Sequence, residues 1–155
     1  MPIEKIENGG WQHPARLPLG GGWMGHCTAP GHEGAMPAQE ILESFCNLGY
    51  SAGCSWAPRH RAWDAVRFSV VAPAEAEKLR QQTQHLTQRT ILLHYVCERN
   101  HLPVVQGRLE YDPAGASWLT HHEYPQVQKM AECFLDSYLQ KRVLNESKAN
   151  VAGSK

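Results

Sequence analysis

The stretch Thr90–Cys97 (TILLHYVC) most constrains what this chain can fold into. Side chains alternate along a strand, so Ile91, Leu93, Tyr95 and Cys97 share one face and Leu92, His94 and Val96 the other. A strand that is apolar on both faces belongs at the centre of a sheet. Its neighbours are legible on either side. Ala65–Val71 (AVRFSVV) sets Val66, Phe68 and Val70 against Arg67 and Ser69, a half-buried strand. Val104–Tyr111 comes after the central strand and the short connection ERNHLP, so that pair is expected to be antiparallel. Between the first two strands, Pro73 opens a helix to about Leu86 with a narrow apolar stripe of Ala76, Leu79, Thr83 and Leu86. That strand–helix–strand unit is compatible with a right-handed crossover.

The clearest helix begins at Pro125. Val127, Met130, Ala131, Phe134, Leu135, Tyr138 and Leu139 recur at helical spacing and form one continuous apolar face. Cys133 falls off that face and reads as structural or surface. The chain has 155 residues, enough to bury a core without the help of a metal. The expected fold is α+β: one domain over residues 23–144, a small mixed sheet of about three strands packed by two or three helices. Residues 1–22 are rich in Gly and Pro and read as an extended or mobile arm. Residues 145–155 read as a disordered tail.

Chemistry concentrates between Trp23 and Trp63, which holds Cys27, Cys46 and Cys54 among flanking glycines and prolines. Pro37 starts a short helix there. Its apolar positions are Ile41, Leu42, Phe45 and Leu48, and Gly49 is placed to end it in the left-handed conformation. Cys46 then lies in its last turn and Cys54 in the loop beyond. Cys97, at a strand end, completes a set of four candidate cofactor and metal ligands: Cys27, Cys46, Cys54 and Cys97. Their spacings lack the short Cys-x₂₋₄-Cys knuckles of structural zinc sites. An iron–sulfur cluster tolerates wide spacing, because its thiolates attach to different irons. Gly25, Gly31, Gly49 and Gly53 leave room for a cluster and expose N–H groups to its sulfurs, while Trp23 and Trp56 are placed to shield it. His26 and His32 flank Cys27 as alternative ligands. Burial as plain core residues is the competing reading, and it suits Cys97 and Cys46 better than Cys27 and Cys54.

Several function classes are disfavoured. Lys plus Arg and Asp plus Glu are both 15, without a basic stripe, so nucleic-acid binding is not expected. No apolar run reaches the roughly 20 residues that span a bilayer, and the N-terminal stretch lacks the pattern of a secretory signal. An odd count of five irregularly spaced cysteines argues against a disulfide framework and for a reducing, cytoplasmic setting. Gly20-Gly21-Gly22 is not followed by Lys-Ser/Thr and is no phosphate loop. Paired carboxylates for acid–base work are missing. His121-His122-Glu123 precedes the last helix as a cap, and Arg59-His60-Arg61 is a small basic cluster beside Cys54.

Three functions remain. The first is a cytoplasmic iron–sulfur ([4Fe–4S]-type) protein that transfers electrons or serves as a redox accessory subunit to a protein partner. The second is a metal-free or zinc-stabilised adaptor working through protein–protein contacts, with five tryptophans as its anchors. The third is a small thiol-dependent enzyme using one loop cysteine, although no signature marks the chain as a stand-alone enzyme.

Overall fold

The computed structural model describes residues 1–7, 9–49 and 53–152, the last four by backbone alone. In chain order the elements are β1 (Pro2–Ile6), β2 (Gly22–Gly25), α1 (Gln39–Ile41) running into a π-helical turn (Leu42–Cys46), β3 (Ala65–Val70) and α2 (Pro73–Gln82). They continue with β4 (Ile91–Arg99), β5 (Leu102–Asp112), β6 (Ser117–Trp118) and α3 (Pro125–Ala152). The chain is an α+β domain with one two-stranded sheet, β1-β2, and one four-stranded sheet in the order β3-β4-β5-β6. β4 is interior, as its two apolar faces require.

The two faces of β4 serve two cores. Ile91, Leu93 and Cys97 join Val66, Phe68 and Leu109 under α3, whose Val127, Ala131 and Leu135 are buried against them. Leu92, on the other face, packs with Val71 and Ala76 of the α2 side. Leu19 and Trp23 enter the larger core from the N-terminal segment, which fastens the small sheet to the large one.

Three expectations are corrected. Every strand pairing among the described residues is antiparallel, so the sheet is not mixed and β3–α2–β4 is no crossover. The reason is geometric. α2 has 10 residues, about 15 Å of helix, and residues 83–90 bring the chain back to the end of the sheet it left. Arg80 fixes that return by donating to the carbonyls of Thr87 at 2.8 Å and Thr90 at 3.2 Å. Secondly, the N-terminal arm is in part a strand: Lys5 pairs with Trp23 and Ile6 with Gly22. Thirdly, α3 continues through residues 145–152, where a disordered tail is expected, while residues 153–155 lie outside the described residues. Lys, Glu and Ala favour the helix at those positions even without packing.

The segment after Pro37 bends in an unexpected way. A π turn carries one residue more per turn than an α turn, seen in the bond from the Asn47 N–H to the Leu42 carbonyl at 3.1 Å. The extra residue rotates the chain beyond it. Leu48, expected on the apolar face, is exposed, and Asn47 takes the inward position. The Asn47 carboxamide accepts from the Trp23 N–H at 2.7 Å and donates to the Trp23 carbonyl at 2.9 Å and the Leu42 carbonyl at 3.1 Å. A side chain thus supplies what a neighbouring strand would have given β2. Gly49 has φ +72°, and a Cβ there would meet Pro18 Cγ at 2.5 Å, so glycine is required both for conformation and for space.

Asn47→Ala strands buried donors and acceptors. It is expected to lower unfolding stability by about 2–3 kcal/mol in urea titrations. Asn47→Asp should not rescue the loss, since a carboxylate cannot donate to the two carbonyls. Wild-type stability in either variant would refute the clamp.

Candidate functional site

Cys27 comes two residues after β2, at the mouth of a loop that it helps to close. Its N–H donates to the Ala35 carbonyl at 2.8 Å, and its carbonyl accepts from the Gly34 N–H at 3.0 Å. The His32 N–H closes the turn between them onto the Ala29 carbonyl at 2.9 Å. Gly31 and Gly34, at φ +80° and +81°, make the reversals that side-chain-bearing residues resist. The Ala29 N–H points at the Cys27 sulfur, 3.4 Å away.

Cys46 ends the π turn, one residue before the Asn47 clamp, so the same clamp sets its distance from β2 and Cys27. Cys54 sits in a turn closed by the Ala57 N–H donating to its carbonyl at 3.1 Å. Residues 50–52, between the two cysteines, lie outside the described residues. The Cys27 and Cys54 loops are joined by a parallel stack of His32 on Trp56, with centroids 4.4 Å apart and planes 5° from parallel.

These elements enclose an open cavity of about 380 Å³, and Cys27, Cys46 and Cys54 all line it. Trp23, Trp56 and Met130 give it largely apolar walls, and His26 and Arg61 also reach it. The buried Trp23 indole N–H has no hydrogen-bond partner among the described residues. Burial pushes the Cys46 thiol up, and the neighbouring Cys54 and Cys27 add to the effect. As a residue Cys46 is exposed at the surface. Among the described residues, no group of three or more His, Cys, Asp or Glu side chains is gathered closely enough to hold a single metal ion.

The remaining candidates lie elsewhere. Cys97 does not line the cavity; it is fully buried beneath α3, where strand alternation aligns it with Leu93. Cys133, expected off the apolar face of the last helix, is also buried in that core. Packing surrounds α3 more widely than its apolar stripe implies. The Met1 amine, which also lines the cavity, has its pKa lowered chiefly by burial. At the start of α3, the His122 ring accepts from the Tyr124 N–H at 3.0 Å and packs edge-on to Tyr95. The His122 backbone N–H donates to the Gln128 side chain at 2.9 Å, so this triplet is engaged in starting the helix. In the basic cluster, Arg61 pairs with Asp64 at 2.7 Å. Asn47 and Met130 were missed by sequence reasoning: an Asn before a helix-ending Gly reads as part of the stop, and Met130 reads as core.

Compared with protein-family models, with curated proteins and with solved structures, the chain matches none. No helix among the described residues is long and apolar enough to cross a membrane.

Burial pushes the Cys133 thiol up to about 11 from an ordinary 9. A raised acid pKa means that the fold prefers the neutral thiol. Stability from this source is complete below pH 9 and is lost as pH rises through about 11. Cys133→Ala should flatten the fall of stability between pH 9 and 11 in denaturant titrations, whatever its cost at neutral pH. An unchanged slope would exclude Cys133 as its source.

Proposed function

We propose that this protein binds an iron–sulfur cluster through Cys27, Cys46 and Cys54, and that it acts in electron transfer or as a redox accessory subunit. The observation that carries the reading is that three free thiols from separate segments line one cavity. Their wide spacing in the sequence, without the short knuckles of structural zinc sites, suits a cluster better than a lone zinc. Around one zinc all ligands lie within about 2.3 Å of the same atom, whereas a four-iron cluster spreads its thiolates over different irons. The amide aimed at the Cys27 sulfur and the two tryptophan walls supply what a cluster site needs, hydrogen bonds to sulfur and restricted water. Cys97 lies off the cavity, and His26, which lines it, is the available side chain for the remaining iron.

In this reading the protein contributes ligands, shielding and electrostatic tuning, and the cluster carries the electron. Reduced thiols fit a cytoplasmic setting, and an electron carrier requires a redox partner protein. Arg61 also reaches the cavity, where it is paired with Asp64 at 2.7 Å.

The test is anaerobic purification and reconstitution with iron and sulfide, followed by metal and acid-labile sulfide analysis. Bound iron and sulfide in near-equal amounts are expected, with visible absorption that disappears in Cys54→Ala and Cys46→Ala and survives in Cys133→Ala. A folded protein that takes up no iron would overturn the reading. Stoichiometric zinc without sulfide would favour a structural role for the thiols. Rapid alkylation of a single loop cysteine would favour thiol catalysis.

A further inference from the structure

A second cavity, of about 270 Å³, opens where the turn after Pro14 crosses β3 and α3. Among the described residues its charged lining is all of one sign: Arg16, Arg67 and Lys141, with no carboxylate. The chain as a whole is neutral, with 15 basic and 15 acidic residues, so Arg16 and Lys141 are a local excess, while Arg67 is partly offset by Glu98. Phe68, Phe134 and Tyr138 supply an aromatic wall, and the two phenylalanines stack with centroids 5.8 Å apart.

The cations are built into the fold to different degrees. Lys141 donates to the Ala15 carbonyl at 3.3 Å, so its ammonium is held against the turn. The glycines after that turn make its position possible: a Cβ on Gly20 would come within 3.3 Å of the Lys141 nitrogen and 3.0 Å of the Ser137 Cβ. Gly20 has φ +71°, a conformation that side-chain-bearing residues rarely adopt, and the close contacts add to the preference for glycine there. This explains part of the triple glycine, which is no phosphate loop. Arg67 gives its Nε–H to Glu98 at 2.8 Å, leaving the ends of its guanidinium for other acceptors. Arg16 is exposed at the mouth. Burial, and after it nearby Lys5, lower the Lys141 pKa.

We infer that this cavity is a binding site for a small organic carboxylate with an apolar or aromatic body, held by Arg16, Arg67 and Lys141 and seated on the wall of Phe68, Phe134 and Tyr138. The volume lies just below the roughly 300 Å³ at which ligand pockets usually begin, so the ligand is small. A concave site lined by one sign of charge concentrates the opposite ion. Guanidinium groups recognise a planar carboxylate through paired N–H donors. The apolar wall distinguishes this ligand from a bare inorganic anion, which has nothing to place there. The site shares no lining residue with the cysteine cavity and does not depend on the cluster.

The experiment is an NMR titration of the full chain with benzoate, benzamide and inorganic phosphate as separate probes. Saturable shifts of the Lys141 and Tyr138 side-chain signals by benzoate are expected, with neither benzamide nor phosphate producing them. Lys141→Met and Arg16→Gln should each weaken benzoate binding by about tenfold, the usual scale for a charge-assisted bond, with circular dichroism and melting temperature as checks on folding. Arg16 is exposed, so its variant keeps the test valid if Lys141→Met fails to fold. Absence of saturable benzoate binding, equal binding of benzamide, or undiminished binding by Arg16→Gln would overturn the inference. Phosphate binding without benzoate binding would overturn the assignment to a carboxylate.

Discussion

One carboxamide holds this molecule's site together. Asn47 commits its amide and its carbonyl to the backbone of Trp23 and Leu42, and so joins β2 to the π turn. Both segments then deliver a cysteine. Cys27 is two residues past the end of β2 and Cys46 is the last residue of the π turn. Trp23 meanwhile sits in the main core, so the clamp transmits the position of the large sheet and α3 to the cysteine loops. A buried amide costs stability unless every donor and acceptor is matched. That is why the backbone here is held to one arrangement.

The cysteine cavity is defined as much by what separates its thiols as by what gathers them. Each comes from its own segment, and each segment has its own backbone hydrogen bonds. The walls are stiff tryptophan rings, one locked by the His32 stack and one by the core. Such a site is preorganised and open at once. The glycines of the 27–35 loop let backbone approach sulfur, as the Ala29 amide does at Cys27. Three thiols line the cavity, and so does Trp23, whose buried indole N–H has no hydrogen-bond partner among the described residues. Polar atoms left unpaired in a buried site are uncommon enough to call for an explanation.

Much of the scaffold was legible because its signals are local. Alternation along Thr90–Cys97 made β4 interior, and the 3.6-residue period after Pro125 identified the buried face of α3. The cysteine stretch was legible as a place, since glycine and proline mark loops whatever the tertiary fold. Cys97 and Cys133 were not legible in the same way. Both are small and apolar enough to serve as core, and only packing tells a ligand from a filler. The π turn also left no local mark: the apolar spacing of Ile41, Leu42, Phe45 and Leu48 fits an ordinary helix, and the extra residue that exposes Leu48 is stabilised by contacts with β2.

The sequence by itself determined the class of the fold, the interior place of β4, the buried face of α3 and the segment in which the cysteines gather. Periodicity and backbone permissiveness are properties of neighbouring residues, so they survive without knowledge of the rest. Only the tertiary structure decided which thiols share a cavity, that the described strands pair antiparallel throughout, and that the triple glycine makes room for Ser137 and Lys141. Each of those depends on residues far apart in the chain meeting through a core and its hydrogen bonds. Their meeting is a result of global packing and no local pattern encodes it.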